Sequence, residues 1–361
     1  GSEMCIRDRS HLDSHRERVS YHFANLIADP DTVDPEPSSA PVWPERLQAH
    51  ALDALGFEDA EATASLLQEL RDSKRLRYLQ AEGRERLDRF MPRLLQECGQ
   101  HEASDLALRR LLPLVQSVAR RSAYLVLLLE NPAALAELVS LCAASPWIAE
   151  LLTRQPVLLD ELLDERMLYR QPGREELRET LQLQVARLPQ DDLEAQMQAL
   201  RYFKASQMLH IAAGEVSQRL PLMQVSDRLT FLAEVILEQA LAVSWHDLTA
   251  RHGRPQRDGS GSGFLVLGYG KLGGLELGHG SDLDLVFVYD AVAGASTDGV
   301  RPLDNAVFYT RLGQRIIHIL ETRTTMGPLY EVDMRLRPDG NSGMLVTSFR
   351  GYAEYLRESA W

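Results

Sequence analysis

Two segments of this 361-residue chain carry side chains that could do chemistry together: Asp282-Leu283-Asp284 and Glu331-Val332-Asp333-Met334-Arg335-Leu336-Arg337. In a strand from Asp282 to Val288, alternation puts Asp282 and Asp284 on one face, ~7 Å apart. Leu283, Leu285 and Phe287 then face a core. Two ionised carboxylates side by side repel, and a cation between them relieves the repulsion. Hard oxygen ligands of this kind suit Mg²⁺, which takes one or two carboxylates plus substrate phosphates. Asp-x-Asp at a strand edge also arises by chance, so the second segment carries weight. Alternation over Tyr330 to Arg337 places Glu331, Asp333, Arg335 and Arg337 on one face. Asp333 then completes a metal site with Asp282 and Asp284, and the two arginines neutralise phosphate charge. The competing reading is a set of surface salt bridges among these four residues.

Between the strands lies Gly268-Tyr269-Gly270-Lys271-Leu272-Gly273, a G-x-G-x-x-G string following the apolar run Phe264 to Leu267. The dinucleotide-binding reading of that string fails on length. A parallel crossover needs about a dozen or more residues, usually a full helix. Gly268 to Ser281 separate the two strands, and Gly278-His279-Gly280 breaks any helix there after two turns. A Walker A loop fails too, because no Gly-Lys-Ser/Thr closes the string. What remains is a glycine turn that lets a phosphate approach backbone N–H groups. Lys271 adds a positive charge there, or is a plain solvated lysine.

The elements that must position these groups are expected as strands at 264–267, 282–288, 330–337 and 344–347. A helix is expected at 304–320, with Phe308, Leu312, Ile316 and Ile319 on its apolar stripe. This is an α+β unit with a small mixed sheet. From Pro44 to about Gly253 the pattern is helical, as in Leu106, Leu108, Leu111, Leu112, Leu114 and Val115 with polar residues between. Polar residues of this half read as solvated faces. Asn131-Pro132 and Ser145-Pro146 mark helix starts, and Ser226 is expected to cap a long helix reaching Trp245. Leu12 to Ile27 gives a short helical pattern, followed by a proline-rich linker to Pro44. Gly1 to Ser10 resembles translated adapter sequence and is set aside. The expected layout is therefore an artefactual or disordered 1–10, then 11–44 as a remnant helix and linker. An all-α linker or regulatory domain follows at 45–200, and a C-terminally shortened catalytic domain at 201–361.

Composition narrows the function classes. A net charge of −13 argues against a nucleic-acid binder, which needs a basic face. No apolar run approaches the ~20 residues that span a bilayer, and the longest, Ala123 to Leu129, reads as a buried helix. Cys5, Cys98 and Cys142 are scattered, with neither disulfide-framework nor zinc spacing. No signal peptide is evident at the start. A reducing cytoplasm is the expected compartment.

Strand, glycine turn, short helix, Asp-x-Asp strand and a later Asp strand resemble the polymerase-β-like nucleotidyltransferase superfamily. Gly270-Lys271 stands where that superfamily usually has glycine-serine. The run from Gly268 through Glu276-Leu277-Gly278-His279-Gly280-Ser281-Asp282-Leu283-Asp284-Leu285, with Leu329 to Pro338, more closely resembles the glutamine synthetase adenylyltransferase family. The Glu-Leu-Gly at 276–278 is similar to its C-terminal, adenylylating copy. Ala119 to Tyr124 and Leu141 to Trp147 resemble the segment joining its two halves. That resemblance implies an enzyme that transfers AMP from ATP to a tyrosine hydroxyl of glutamine synthetase. Asp282, Asp284 and Asp333 would be the catalytic and Mg²⁺-binding residues. Gly270, Lys271, Gly273, Gly274, Ser281, Arg335 and Arg337 would bind the nucleotide. A PII signalling protein as partner and glutamine as effector are also implied, and the chain is expected to be a fragment of the whole. The alternatives are the phosphorolytic, deadenylylating copy, or an inactive fragment serving as a regulatory scaffold.

Overall fold

The computed structural model describes residues 49–257, 263–324 and 327–358. The helix expected at 12–27, the proline-rich linker and most of the glycine-serine loop (258–262) lie outside them. From Ala49 to Leu168 the three- and four-residue spacing of leucines builds one apolar core. It is enclosed by α1 (Ala49–Leu55), α2 (Ala60–Asp72), α3 (Lys74–Arg77), α4 (Ala81–Gly99), α5 (Ser104–Val118) and α6 (Ala123–Glu130). The same core takes in α7 (Pro132–Ala144), α8 (Pro146–Arg154), a 3-10 stretch at Pro156–Leu163 and α9 (Glu165–Leu168). Ser145 caps α8 through Ile148 N at 3.3 Å, as expected. Asn131 does not cap α7 with its side chain: its amide donates to Leu127 O of the preceding helix.

A second core joins α10 (Arg174–Ala186), α11 (Leu193–Val216) and α12 (Leu222–His252) to the sheet. α12 starts four residues before Ser226, after Pro221, whose fixed φ suits a helix start. Ser226 sits inside the helix, its carbonyl accepting from Thr230 Oγ1. α11 is the wall between the cores. Its Ala205, Leu209, Ala212 and Ala213 pack into the first, and Leu200, Phe203, Met208 and Ile211 into the second. From Leu200 on α11 has no exposed residue, and its Arg201, Ser206 and His210 are buried, as is Gln196 nearer its start. Reading the polar residues here as solvated is thereby corrected.

The sheet is small and mixed. β1 (Phe264–Gly268) runs antiparallel to β2 (Leu283–Tyr289), from Phe264↔Tyr289 to Gly268↔Leu285. A dinucleotide-binding unit needs parallel neighbours here, so the antiparallel pairing agrees with rejecting it. The one-turn α13 (Gly270–Gly273) joins the two strands. α14 (Asn305–Glu321) crosses back over the sheet, burying Phe308, Leu312, Ile316 and Ile319. β3 (Val332–Asp333) and then β4 (Val346–Ser348) pair in parallel with the other edge of β2. α15 (Phe349–Glu358) lays Tyr352 on Val286 and Val288, so both faces of β2 are covered.

The third strand is far shorter than expected. Instead of running from 330 to 337 it keeps two residues, because the Asp333 carboxylate accepts from Arg335 N at 2.8 Å and turns the chain. Alternation therefore stops at Asp333, and Arg335 and Arg337 do not share its strand face. No single described helix is long and apolar enough to cross a membrane.

Candidate active site

Antiparallel pairing brings the end of β1 to the start of β2, so the glycine turn meets the Asp-x-Asp segment. Tyr269 N donates to Asp284 O at 2.9 Å and extends the ladder into the turn. Gly270 then adopts φ +52°, and a Cβ there would stand 2.1 Å from Asp284 Oδ2. Only glycine meets both demands. A Cβ on Gly273 would meet Gly268 O at 2.6 Å, which packs the turn against its own strand. Gly274 closes the turn through its N–H to Gly270 O at 3.0 Å.

On the opposite edge, Leu283 N donates to Glu331 O, and Asp284 pairs directly with Asp333 in parallel register. Register partners on adjacent strands, about 4.8 Å apart, point to the same face. Asp282 lies exposed just before β2, and Asp284 is half-buried. Burial, then the Asp282 and Asp333 carboxylates, raise the Asp284 pKa, while Arg335 and Lys271 oppose the rise. The Arg335 side chain and backbone hydrogen bonds hold Asp333 below the ordinary carboxylate range. Arg335 Nε lies 3.0 Å from Oδ1 and 2.7 Å from Oδ2 of Asp333, and its Nη2 also donates to Oδ2.

Arg337 departs from its expected role. Its guanidinium donates to Met334 O (2.8 Å) and Asn341 O (3.3 Å), which ties down the turn after β3. Ser281 Oγ accepts from Gly278 N at 3.0 Å and shapes the loop before Asp282. Lys271 is exposed and close enough to weigh on Asp284.

An open cleft of about 440 Å³ runs beside these groups, lined by Asp282, Glu331, Asp333 and Arg335 and, from α14, by Ile317 and Glu321. Glu321 was not among the sequence candidates, though a signal existed. A carboxylate in the last turn of a helix opposes the macrodipole, and such a placement needs another reason. Glu321 Oε1 accepts from Val332 N at 3.4 Å, on the strand that carries Asp333.

Among the described residues no three Asp, Glu, His or Cys side chains stand close enough to grip a metal ion as they are. The donor set nonetheless suits a hard cation. It is all oxygen, and the repulsion raising Asp284 is what a divalent ion relieves. The Arg335 fork occupies the Asp333 carboxylate.

Fold and site together define an α+β protein with an open, carboxylate-lined cleft at the edge of a small mixed sheet. Residues 135–361 match the family model for glutamate-ammonia ligase adenylyltransferase, and the chain belongs to that family. It is 53% identical over 359 residues to the bifunctional glutamine synthetase adenylyltransferase/adenylyl-removing enzyme of Pseudomonas putida, covering 96% of this chain and 37% of that relative. The proteins of the same name from Pseudomonas aeruginosa and Hahella chejuensis are 50% and 48% identical, covering 97% and 98% of this chain. The chain thus spans little more than a third of the length of these relatives, 37% and 38%.

Proposed function

We propose that the cleft is a nucleotidyltransferase site of the polymerase-β type, which moves AMP from ATP to a tyrosine hydroxyl of glutamine synthetase and releases pyrophosphate. The observation that carries this reading is the direct parallel pairing of Asp284 with Asp333, beside a glycine turn that only glycine can form. Family membership and the relatives' names supply the acceptor. Asp282, Asp284 and Asp333 would hold Mg²⁺, which when bound neutralises triphosphate charge and makes the attacking hydroxyl more acidic. Asp333 would orient or accept the hydroxyl proton once Arg335 releases it. Arg335, freed from Asp333, and Lys271 carry positive charge to the phosphates. Gly270 and Gly273 keep the turn thin enough for close approach. Arg337 acts at one remove, holding the loop that follows Asp333. In this proposal residues 201–361 form the catalytic domain and 45–200 a regulatory one, working in the cytoplasm with a PII signalling protein and glutamine as inputs.

The test is calorimetry of ATP with Mg²⁺ on this chain and on Asp284→Asn, together with transfer of α-labelled ATP to glutamine synthetase by the intact enzyme. Binding and transfer lost together in Asp284→Asn support the assignment, and normal binding and turnover in that variant sink it. A phosphate-dependent release assay on adenylylated glutamine synthetase separates the forward reaction from the adenylyl-removing one.

A further inference from the structure

A second cavity, of about 220 Å³, lies behind the site, between α8, α11 and the loops carrying His279 and Leu329. Among the described residues it shares no lining residue with the carboxylate cleft. Its floor is cationic. Arg201 is only 4% exposed, yet its hydrogen bonds all go to backbone carbonyls: Met197 O at 3.0 Å, Gly327 O at 3.2 Å and Thr322 O at 2.6 Å. Lys204, one turn on, donates to Leu329 O and lies 3.8 Å from the centre of the Tyr330 ring. An ammonium has three donors, and this geometry uses one.

Arg154 is paired with Glu150, and His279 Nε2 meets Glu215 Oε2 at 2.9 Å. Among the described residues no carboxylate pairs with Arg201 or Lys204. Desolvation is accordingly the cause that lowers both pKa values, that of Lys204 to about 8. Clamping backbone carbonyls calls for donors but not for net charge, and two desolvated cations without an anion are costly. One wall supplies an apolar surface, where the Trp147 ring stands 5.0 Å from that of His279. His279 Nδ1 is buried there without a hydrogen-bond partner among the described residues.

We propose that this cavity is a binding site for a small oxyanion, a carboxylate or phosphate compound held by Lys204 and Arg201 against the Trp147 wall. A cavity of about 220 Å³ suits a compound of a few heavy atoms. The site stands independently of how the carboxylate cleft is read. It touches the cleft's supports, since His279 precedes Asp282 by one short loop and Leu329 leads into β3.

Succinate and inorganic phosphate, each at ionic strength matched with NaCl, are titrated into the full 361-residue chain and followed by calorimetry and tryptophan fluorescence. Saturable binding in the millimolar range or tighter is expected for at least one probe, and which one saturates assigns the carboxylate or the phosphate source. Lys204→Gln weakens that binding about tenfold or more, while Lys204→Arg, which keeps the charge, stays within about threefold. Trp147→Phe loses the fluorescence change but keeps the heat. Asp282→Asn binds as the unsubstituted chain does, which separates this cavity from the cleft. Saturation by neither probe, or equal weakening by Lys204→Gln and Lys204→Arg, overturns the proposal.

Discussion

Replacing Gly270 by alanine tests the site at its tightest point. The left-handed φ of +52° costs an L-residue about 1–2 kcal/mol. The added Cβ would also stand 2.1 Å from Asp284 Oδ2 and 3.0 Å from its Cγ. An ordinary C···O approach is about 3.3 Å or more, so the carboxylate must move by roughly 1 Å. Because the atom struck is the end of a side chain, the fold gives way there rather than at the backbone. Stability should fall by only about 1–2 kcal/mol, seen as a drop of a few degrees in Tm. Displacing a reacting group by 1 Å costs about a hundredfold in rate. The assay is transfer of labelled AMP to glutamine synthetase by the intact enzyme, beside a thermal melt of the same preparation. A kcat within about threefold of the unsubstituted enzyme would refute the claim that the glycine turn positions Asp284. Loss of activity with a collapsed melt would refute the partition between fold and site.

Asp284→Asn should lower transfer at least about a hundredfold yet raise Tm at neutral pH. A carboxylate whose folded pKa is raised loses stability as pH climbs above the ordinary value, so the variant's gain should vanish in acid. Lys204→Met should stabilise the chain near pH 7. A fall from 10.5 to about 8 corresponds to about 3 kcal/mol, less about 1 kcal/mol for the stranded Leu329 carbonyl. In the unsubstituted chain the unfolded state binds more protons between pH 8 and 10.5, so its stability rises across that window and the variant's advantage shrinks. Urea melts near pH 7 and pH 10 check this, and a less stable variant at pH 7 refutes it. Arg335→Gln should tighten Mg²⁺ binding about fivefold by freeing Asp333 while slowing AMP transfer, measured by calorimetry and by kcat.

Much of the site was legible because strand alternation is a local property. Leu283, Asp284 and Leu285 sort onto the faces the pattern assigns, and the glycine break before Ser281 spoke against the full helix a parallel β1–β2 pair needs. The errors arose where a side chain bonds to its own backbone. Asp333 turns the chain through Arg335 N, ending a strand that alternation would have carried to Arg337. Arg337 was diverted in the same way by the carbonyls of Met334 and Asn341. Glu321 could not be placed by spacing, since it reaches the cleft from another element. Arg201 and Lys204 went unremarked in the sequence for a different reason. A charged residue among apolar ones looks like a solvated stripe unless the helix is known to be buried on every side, and two cores enclosing α11 is a tertiary fact.

The two imbalances of charge in this protein have opposite sign and act on one stretch of chain. At its near end Thr322 O, Gly327 O and Leu329 O are gripped by Arg201 and Lys204, cations with no carboxylate partner among the described residues. At its far end Asp333 stands in register with Asp284, a carboxylate whose ionisation its neighbours oppose. Each imbalance lowers the stability of the chain as it stands, and each is relieved by a ligand of opposite charge. Neither is needed to close a core: the apolar contacts of α11 and α14 already do that. An anion at one end would slacken the hold on the carbonyls, and a cation at the other would fix β3. On the two proposals above, binding at the two ends acts through the same backbone. This is the arrangement from which coupling between separate sites arises without a special relay.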